Sequence, residues 1–414
     1  MRVVVSNGTY RFHLAPLAAE LASKGILSAL ITGAYPKGAL LQMLQRSRDA
    51  RIRRLLDRRE DLPDAMVRTC DASEAIFKAG DILFGRHSQQ AQQWLHRLAF
   101  STYARSAARH LRGLEYDIYH YRNCFGGLSA DLARRSGRKT LCDHSIGHPY
   151  AVSLIRRGID RLVPDSIPPQ PLNILEAQYL EDFRHADHYL VNSDFVKRTF
   201  VASGIEASKV SVVYWGVDAR FLEASDRALT TVKERRPATD LLFCGGFSER
   251  KGAFDLMDAL DLLQRHPWTL TVAGGIEPEA AARWDGFLRR HAGRVRYIGY
   301  LDREALAHTM AQYSNFVFPS RMEGSARVVF EALASACHVV TTSHAGSIVE
   351  EGVQGRLCEP GSAASLATVL EETFDSGVGP VAIGRRNAEQ VRDAYRQDQY
   401  ASRVVNVYEQ LLSA

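Results

Sequence analysis

Short apolar runs and stretches of helical period alternate along this chain. Met1–Ser6 is a β-branched apolar run and Asn7-Gly8-Thr9 a turn. His13–Lys24 sets Leu14, Leu17, Ala18 and Leu21 on one helical face, and Leu27–Thr32 is a second strand after Gly25. This strand–turn–helix–strand opening predicts a doubly wound α/β domain. Residues 40–112 read as largely helical. Strands follow at Tyr116–Tyr121, Lys139–Asp143, Asp187–Asn192 and Val210–Tyr214, with helices at Glu176–Ala186 and Phe195–Ser203. Trp215 and the polar stretch to Thr239 read as a linker. A second series has strands at Leu241–Cys244, Trp268–Gly274, Val295–Ile298, Asn315–Phe318 and Val339–Thr342, and helices at Ala253–Leu263, Val328–Ala336, Leu366–Phe374 and Tyr400–Leu412. A chain of 414 residues suits two α/β domains of roughly 200 residues each.

The most informative stretch is Pro319–Glu331, PSRMEGSARVVFE. A buried strand enters it, and the small-residue turn Glu323-Gly324-Ser325-Ala326-Arg327 opens a helix. Free backbone N–H groups at the positive end of a helix dipole make an anion site, with phosphate its commonest occupant. Glu323 at the turn and Glu331 on the helix can serve hydroxyl-rich groups on either side of a phosphate. The loop Gly245–Gly252, GGFSERKG, brings Arg250 and Lys251 to another helix start and reads as a second phosphate-facing device. In the first half, Asp143-His144-Ser145-Ile146-Gly147-His148 follows a strand, where open α/β sheets bind ligands, and Arg122–Gly127 forms a glycine turn after the strand before it.

Charge adds an asymmetry. Residues 1–214 hold 30 Lys+Arg against 21 Asp+Glu, and residues 215–414 hold 22 against 26, for a net charge of +5. A basic first half suggests an anionic partner. Part of the excess lies in Arg46–Arg59, RSRDARIRRLLDRR, interleaved with leucines. Residues 40–59 therefore predict a basic amphipathic helix suited to an anionic membrane surface. No nucleic-acid reader motif is present, so nucleic acid is not expected as a partner. The six cysteines are dispersed without a C-x-x-C pair, which predicts reduced, buried thiols rather than disulfides or zinc. No apolar run has the length of a membrane span, and the N-terminus opens on a strand rather than a secretory leader, so a cytoplasmic protein is expected. The sequence has no G-x-G-x-x-G, which disfavours a dinucleotide enzyme.

In this order the pieces resemble glycosyltransferase family 4, which has the GT-B architecture of two Rossmann-like doubly wound domains facing a cleft. The motifs that carry the resemblance are HADHYLVNSDFVKRTFVASGI (His185–Ile205), KVSVVYWGVDARF (Lys209–Phe221), FCGGFSERKG (Phe243–Gly252), YIGYLDREALA (Tyr297–Ala307), FPSRMEGSARVVFEALASACHVVTT (Phe318–Thr342) and HAGSIVEEGVQGRLCEPG (His344–Gly361). They cover roughly residues 185–375 well and the first 150 in outline.

The resemblance implies a retaining transferase that takes a nucleotide-diphosphate sugar. Residues 1–214 would bind the acceptor, residues 215–395 would hold the donor, and a helix within 396–414 would cross back to the first domain. Lys251, with Arg250 beside it, would meet the diphosphate together with the backbone of Gly324, Ser325, Ala326 and Arg327. Glu331 would take the ribose hydroxyls and Glu323 those of the donor sugar. Gly299, Tyr300 and Leu301 would border the base. His144, or as a second choice His148, would face the transferred sugar, making Glu323, His144 and Lys251 the expected catalytic set.

Many members carry an arginine five residues before the lysine. That position is Gly246 here, with Arg250 or Arg327 as candidate replacements, and the turn after Glu323 lacks the usual Gly-Phe-Gly wording. The sequence has no Asp-x-Asp pair, so neither a metal nor a cofactor is expected. The expected acceptor is a saccharide or a lipid-linked saccharide, in cell-surface polysaccharide or lipopolysaccharide assembly at the inner face of the plasma membrane. The alternatives are a degenerate GT-B protein acting as a binding or scaffold subunit, and a GT-B nucleotide-sugar epimerase.

Overall fold

The computed structural model describes residues 1–9, 12–46, 56–85, 87–158, 163–375 and 379–413. The first sheet comprises β1 (Val3–Gly8), β2 (Leu27–Thr32), β3 (Val67–Thr69), β4 (Ile118–Arg122), β5 (Lys139–His144), β6 (His188–Val191) and β7 (Val210–Val212). The second comprises β8 (Asp240–Cys244), β9 (Thr269–Ala273), β10 (Val295–Gly299), β11 (Asn315–Phe318), β12 (His338–Thr342) and β13 (Gly355–Cys358). The orders are β3-β2-β1-β4-β5-β6-β7 and β10-β9-β8-β11-β12-β13, every pairing parallel. Central strands such as β1, β8, β11 and β12 are buried on both faces because helices cover both sides, whereas the edge strand β10 is partly exposed.

Strand order reverses between β1 and β4 in one sheet and between β8 and β11 in the other. Loops leaving the C-terminal ends of strands diverge at such points and open a crevice. Here those loops carry Thr9 and Phe12, Asn123–Gly127, Gly245–Gly252 and Pro319–Ala326. The topology thus places the residues singled out in the sequence at the two crevices.

The chain crosses between the sheets twice, at residues 213–218 and 395–399. The crossings are stitched together, Val217 N–H donating to Tyr395 O at 2.8 Å and Gln397 N–H to Val217 O at 2.9 Å. The last helix, Tyr400–Ser413, returns to the first sheet, where Tyr400, Val404 and Tyr408 pack in one core with Leu14, Leu17 and Leu141. The Tyr408 hydroxyl lies 2.7 Å from His120 Nδ1.

Three expectations need correction. Residues 219–231 are a helix, not linker: Asp218 caps it, accepting from the Arg220 and Phe221 amides, and Phe221, Leu222, Ala224 and Ala228 are buried. Strands β3 and β13 were not expected; both are short edge strands, of 3 and 4 residues. The basic segment is not one helix over 40–59. A helix ends at Arg46, residues 47–55 lie outside the described residues, and Leu56–Arg58 is a 3-10 turn. Its end also turns inward, with Arg58 Nη1 on both Glu74 carboxylate oxygens at 2.6 and 2.7 Å and Arg59 Nη1 on Asp64 at 3.0 Å. The six cysteines are buried and unpaired, as expected. Among the described residues no helix is long and apolar enough to cross a membrane.

Candidate active site in the cleft

A cavity of about 560 Å³ opens at the β8/β11 reversal. Lys251, Glu323, Ser325, Ala326, Arg327, Glu331, Tyr300 and Leu301 line it, so most residues expected at the donor site meet in one place. The loop Gly245–Gly252 approaches Pro319 so closely that a Cβ on Gly252 would lie 2.0 Å from the Pro319 carbonyl oxygen, and Gly252 itself has φ 78°. That contact sets Lys251 over the cavity floor, its Nζ 5.8 Å from the Phe318 ring centroid. Among the described residues no acceptor pairs with the Lys251 ammonium. A partly buried cation without a counter-charge is a standing receptor for an anion.

The helix Arg327–Ala334 begins at Ala326, whose side chain gives no cap. The Ala326 amide donates to Ala345 O, whereas those of Ser325, Arg327 and Val328 have no partner among the described residues. These free donors face the same cavity as Lys251, where the helix dipole also favours negative charge. Arg327 adds a second cation, its guanidinium 5.8 Å from the Trp215 ring centroid.

The two glutamates differ in environment. Burial pushes the Glu331 carboxyl above its ordinary range, and Arg327 and Arg303 pull it partly back. Arg303 is itself tied to Asp218 at 2.9 Å. Glu323 is anchored through its backbone, its N–H donating to His344 O at 2.9 Å. Its Oε1 lies 2.7 Å from Arg250 Nη1, an ion pair without an aligned hydrogen bond, so this buried oxygen still lacks a donor. Arg250 therefore holds Glu323 and the Met322 carbonyl (2.9 Å) and does not line the cavity. Of the two arginines considered as replacements at Gly246, only Arg327 lines the cavity. Beside Gly246 stands the Glu277 carboxylate, 2.7 Å from where a Cβ would be. Tyr300 is 90% exposed at the rim, and Gly299 lies behind it, its carbonyl accepting from Gly274 N–H at 2.7 Å.

The first domain closes onto this cavity at Gly324. A Cβ there would lie 1.7 Å from the Ser145 carbonyl oxygen, and the Gly324 carbonyl accepts from Ser193 Oγ at 2.5 Å. Nearby, Arg198 donates to Ser343 O at 3.1 Å, and the His344 ring sits 4.6 Å from that of Phe195.

His144 is not brought to the donor cavity. It is 2% exposed, packed among Tyr179, Phe183 and Phe200, with Nδ1 accepting from Asn123 Nδ2 at 2.8 Å and Nε2 on Gly147 O at 3.2 Å. Burial holds it neutral, lowering its pKa to about 4. His148 is also buried, with a pKa lowered to about 3 by burial, and caps the next helix at Tyr150 N. His144 instead lines a second cavity, about 180 Å³, at the β1/β4 reversal. Sequence reading placed Ser145 in a ligand-facing strand end without a role of its own and missed Ser193, both of which touch the Glu323 turn from across the cleft, and it missed Asp218 and Arg303 beside Glu331. The Asp218 capping pattern was visible; the cross-cleft contacts had no local signal.

Residues 87–221 match the family model described as Glycosyltransferase Family 4, and residues 238–376 the one described as Glycosyl transferases group 1. The chain is 25% identical over 177 residues to O-antigen chain mannosyltransferase B of Escherichia coli, a stretch covering 41% of this chain and 45% of that relative. The matched part is thus under half the length of that curated relative. Among solved structures it is similar to the lipopolysaccharide outer core galactosyltransferase WaaB in its apo form, with TM-score 0.64 and 15% identity over 99% of this chain and 100% of that one. It is also similar to HepE of Anabaena in complex with UDP and glucose, with TM-score 0.61 and 15% identity over 99% of this chain and 100% of that one. At such identities these two structures share the fold, which is GT-B.

Proposed function

The chain is a glycosyltransferase of the family 4 type, and from that premise we propose that it moves a sugar from a nucleotide-diphosphate sugar to a saccharide or lipid-linked acceptor, with retention of the anomeric configuration and without a metal ion. The observation that carries this is the convergence, in one cavity, of the unpaired Lys251 ammonium, the uncapped start of helix Arg327–Ala334 and the two glutamates. The anomeric carbon–oxygen bond to the diphosphate breaks as the acceptor oxygen bonds to the same face of that carbon. The acceptor's proton passes to a leaving phosphate oxygen. Lys251, Arg327 and the free amides meet the charge that develops on the diphosphate, where fixed donors contribute most. Glu331 accepts from the ribose hydroxyls, and the Glu323 carboxylate, held by Arg250, accepts from a donor-sugar hydroxyl.

Two likenesses bear on the substrates: HepE was solved with UDP and glucose, and the curated relative is an O-antigen chain mannosyltransferase. They support a nucleotide-sugar donor and a role in cell-surface polysaccharide or lipopolysaccharide assembly at the cytoplasmic membrane face. A thermal-shift screen of nucleotide diphosphates and their sugars, run with EDTA, tests the donor site. Stabilisation by one nucleotide, lost in Lys251→Ala and Glu331→Ala, is the expected result; no shift with any nucleotide overturns it. The anomeric proton coupling of the product tests retention.

A further inference from the structure

The turn Arg122–Gly127 has no part in the donor site, yet it is built around a charge. Arg122 ends β4 beside the β1/β4 reversal and lines the second cavity. Its guanidinium lies 3.7 Å from the Phe12 ring centroid, with Phe77, Phe100 and Tyr179 among the other walls. Among the described residues it makes no hydrogen bond and no ion pair, although it carries five N–H donors. Desolvating a cation without hydrogen-bond partners is costly, so folds retain such an arrangement where something else supplies the acceptor. The one carboxylate lining the cavity, Asp143, does not fill that role. It is paired with His13 Nε2 at 2.8 Å, with His120 Nε2 at 3.8 Å.

Two further features mark the cavity as prepared for a polar guest. Thr9 Oγ1 is buried in its wall without a partner. Cys124, next in the wall, holds φ 78°, a strained value for a residue with a side chain, and the Asn123 side chain fixes it by accepting from its amide at 2.6 Å. The cavity also adjoins the donor site. Ser145 lines it, and the Ser145 carbonyl is the atom on which Gly324 rests, next to Glu323.

We propose that Arg122 recognises an anionic group, a phosphate or carboxylate, on the acceptor, so that the acceptor is an acidic sugar or a phosphate-bearing saccharide or lipid seated between Arg122 and the aromatic walls. A space of about 180 Å³ holds one such group and its ring rather than a longer saccharide. This inference rests on the transferase reading and names the acceptor class for it. Arg122 supplies charge-assisted hydrogen bonds to the anion, and the aromatic walls cover the apolar face of the adjoining ring or chain.

The test is binding to the full chain, read by calorimetry and thermal shift. Glucose 6-phosphate, galacturonate and dodecyl phosphate serve as anionic probes, and glucose and galactose as neutral controls. Wild type binds at least one anionic probe about tenfold or more tighter than the neutral sugars, and Arg122→Gln loses that preference. Lys251→Ala keeps it, because the anion is not in the donor site. Arg122→Lys, which keeps the charge, retains part of it and serves if the glutamine variant fails to fold. Which probe binds separates a sugar phosphate, an acidic sugar and a lipid phosphate. Equal binding of neutral and anionic probes, or a preference that survives in Arg122→Gln and vanishes in Lys251→Ala, overturns the proposal. Nucleotide binding is measured on the same samples. If nucleotides bind and the anion preference is absent, only this inference falls; if no nucleotide binds, the transferase reading falls first.

Discussion

At the scale of the residue, the proposed donor site assigns charge supply and hydroxyl recognition to different side chains, and the two predict different signatures on mutation. Lys251 is a cation with no partner among the described residues, so its removal takes away transition-state stabilisation without leaving a buried charge unpaired. Lys251→Ala is expected to lower kcat by about 100-fold or more with little change in Tm, checked by steady-state kinetics beside a melting curve. Glu331 responds to pH. Burial raises its pKa, so it takes up its proton at a higher pH than an ordinary glutamate. A protonated Glu331 accepts ribose hydroxyl protons less well, so nucleotide affinity should fall as pH drops through that raised range. The affinity of Glu331→Gln should be weaker and flat over the same interval. Calorimetric titrations of the nucleotide across pH decide it, and a slope that persists in the glutamine variant assigns the proton to another group.

At the scale of the element, the turn between β11 and its helix acts as a unit because Gly324 is wedged between domains. A methyl there would meet the Ser145 carbonyl oxygen at 1.7 Å, and neither backbone can yield locally. Gly324→Ala should therefore prop the cleft open, cost about 1–3 kcal/mol of stability and remove most transfer activity. Nucleotide binding by the second domain should persist, which titration and small-angle scattering can test together. Gly324 also shows what was legible in the chain. That the turn at Glu323, both glutamates and Lys251 meet at one cavity could be read because strand, glycine turn and helix start follow one another locally. Gly324's partner, Ser145, lies 179 positions earlier in the chain; its segment reads as a ligand-facing strand end, but nothing in it announces contact with Gly324. The helix Ala219–Thr231 was misread because its exposed face, Glu223, Asp226, Arg227 and Thr230, lowers its mean hydropathy to that of a linker. The buried stripe Phe221, Leu222, Ala224 and Ala228 and the Asp218 cap carried the correct signal. Strands β3 and β13 are too short to show a period, and each pairs with only one neighbour. His144 lies apart from the donor cavity: at the end of its strand it lines the first domain's own cavity, with both ring nitrogens hydrogen-bonded inside that domain.

At the scale of the whole molecule, buried histidines set the acid limit of the fold. Burial lowers the pKa of His144, His338 and His344 to about 4 and of His148 to about 3. Unfolded histidine titrates near 6.5, so below that pH the unfolded chain binds protons that the native chain refuses. Stability is then lost as pH falls, by about 1.4 kcal/mol per pH unit for each histidine. Asp182 opposes one of them. Burial raises its pKa to about 7, so its native form takes up a proton first and gains stability on acidification down to its unfolded value. The histidines outnumber Asp182, so the net expectation is that stability falls as pH drops below about 6.5. Denaturant titrations at about pH 7 and about pH 5.5 measure that slope. His144→Gln, which can still accept from Asn123 and donate to Gly147, should reduce it by about one proton's worth. An unchanged slope in that variant would place the acid sensitivity elsewhere.

Closure joins these scales, because the site is complete only while the two domains touch. Among the described residues, the contacts that cross at the cleft mouth include Ser193 Oγ on Gly324 O, Arg198 on Ser343 O, the Gly324–Ser145 abutment, the Phe195–His344 ring contact and Met322 against the first domain's core. Interfaces between domains of one chain commonly open for substrates, and the paired crossings at Val217 and Tyr395 are where such a motion would turn. Ser193→Ala removes one hydrogen bond from the closed state and none from either pocket. Its native Oγ also caps the helix Asp194–Ala202 through Val196 N, so the substitution should cost about 1 kcal/mol of stability as a lost cap. The closed fraction should fall in addition, lowering kcat while leaving nucleotide affinity near wild type. Ser193→Asn separates the two effects. Asparagine restores the cap but reaches too far to fit against Gly324, so it should recover stability without recovering kcat. If asparagine restores both, Ser193 acts through its helix alone, and closure is held by the Gly324–Ser145 contact and Arg198.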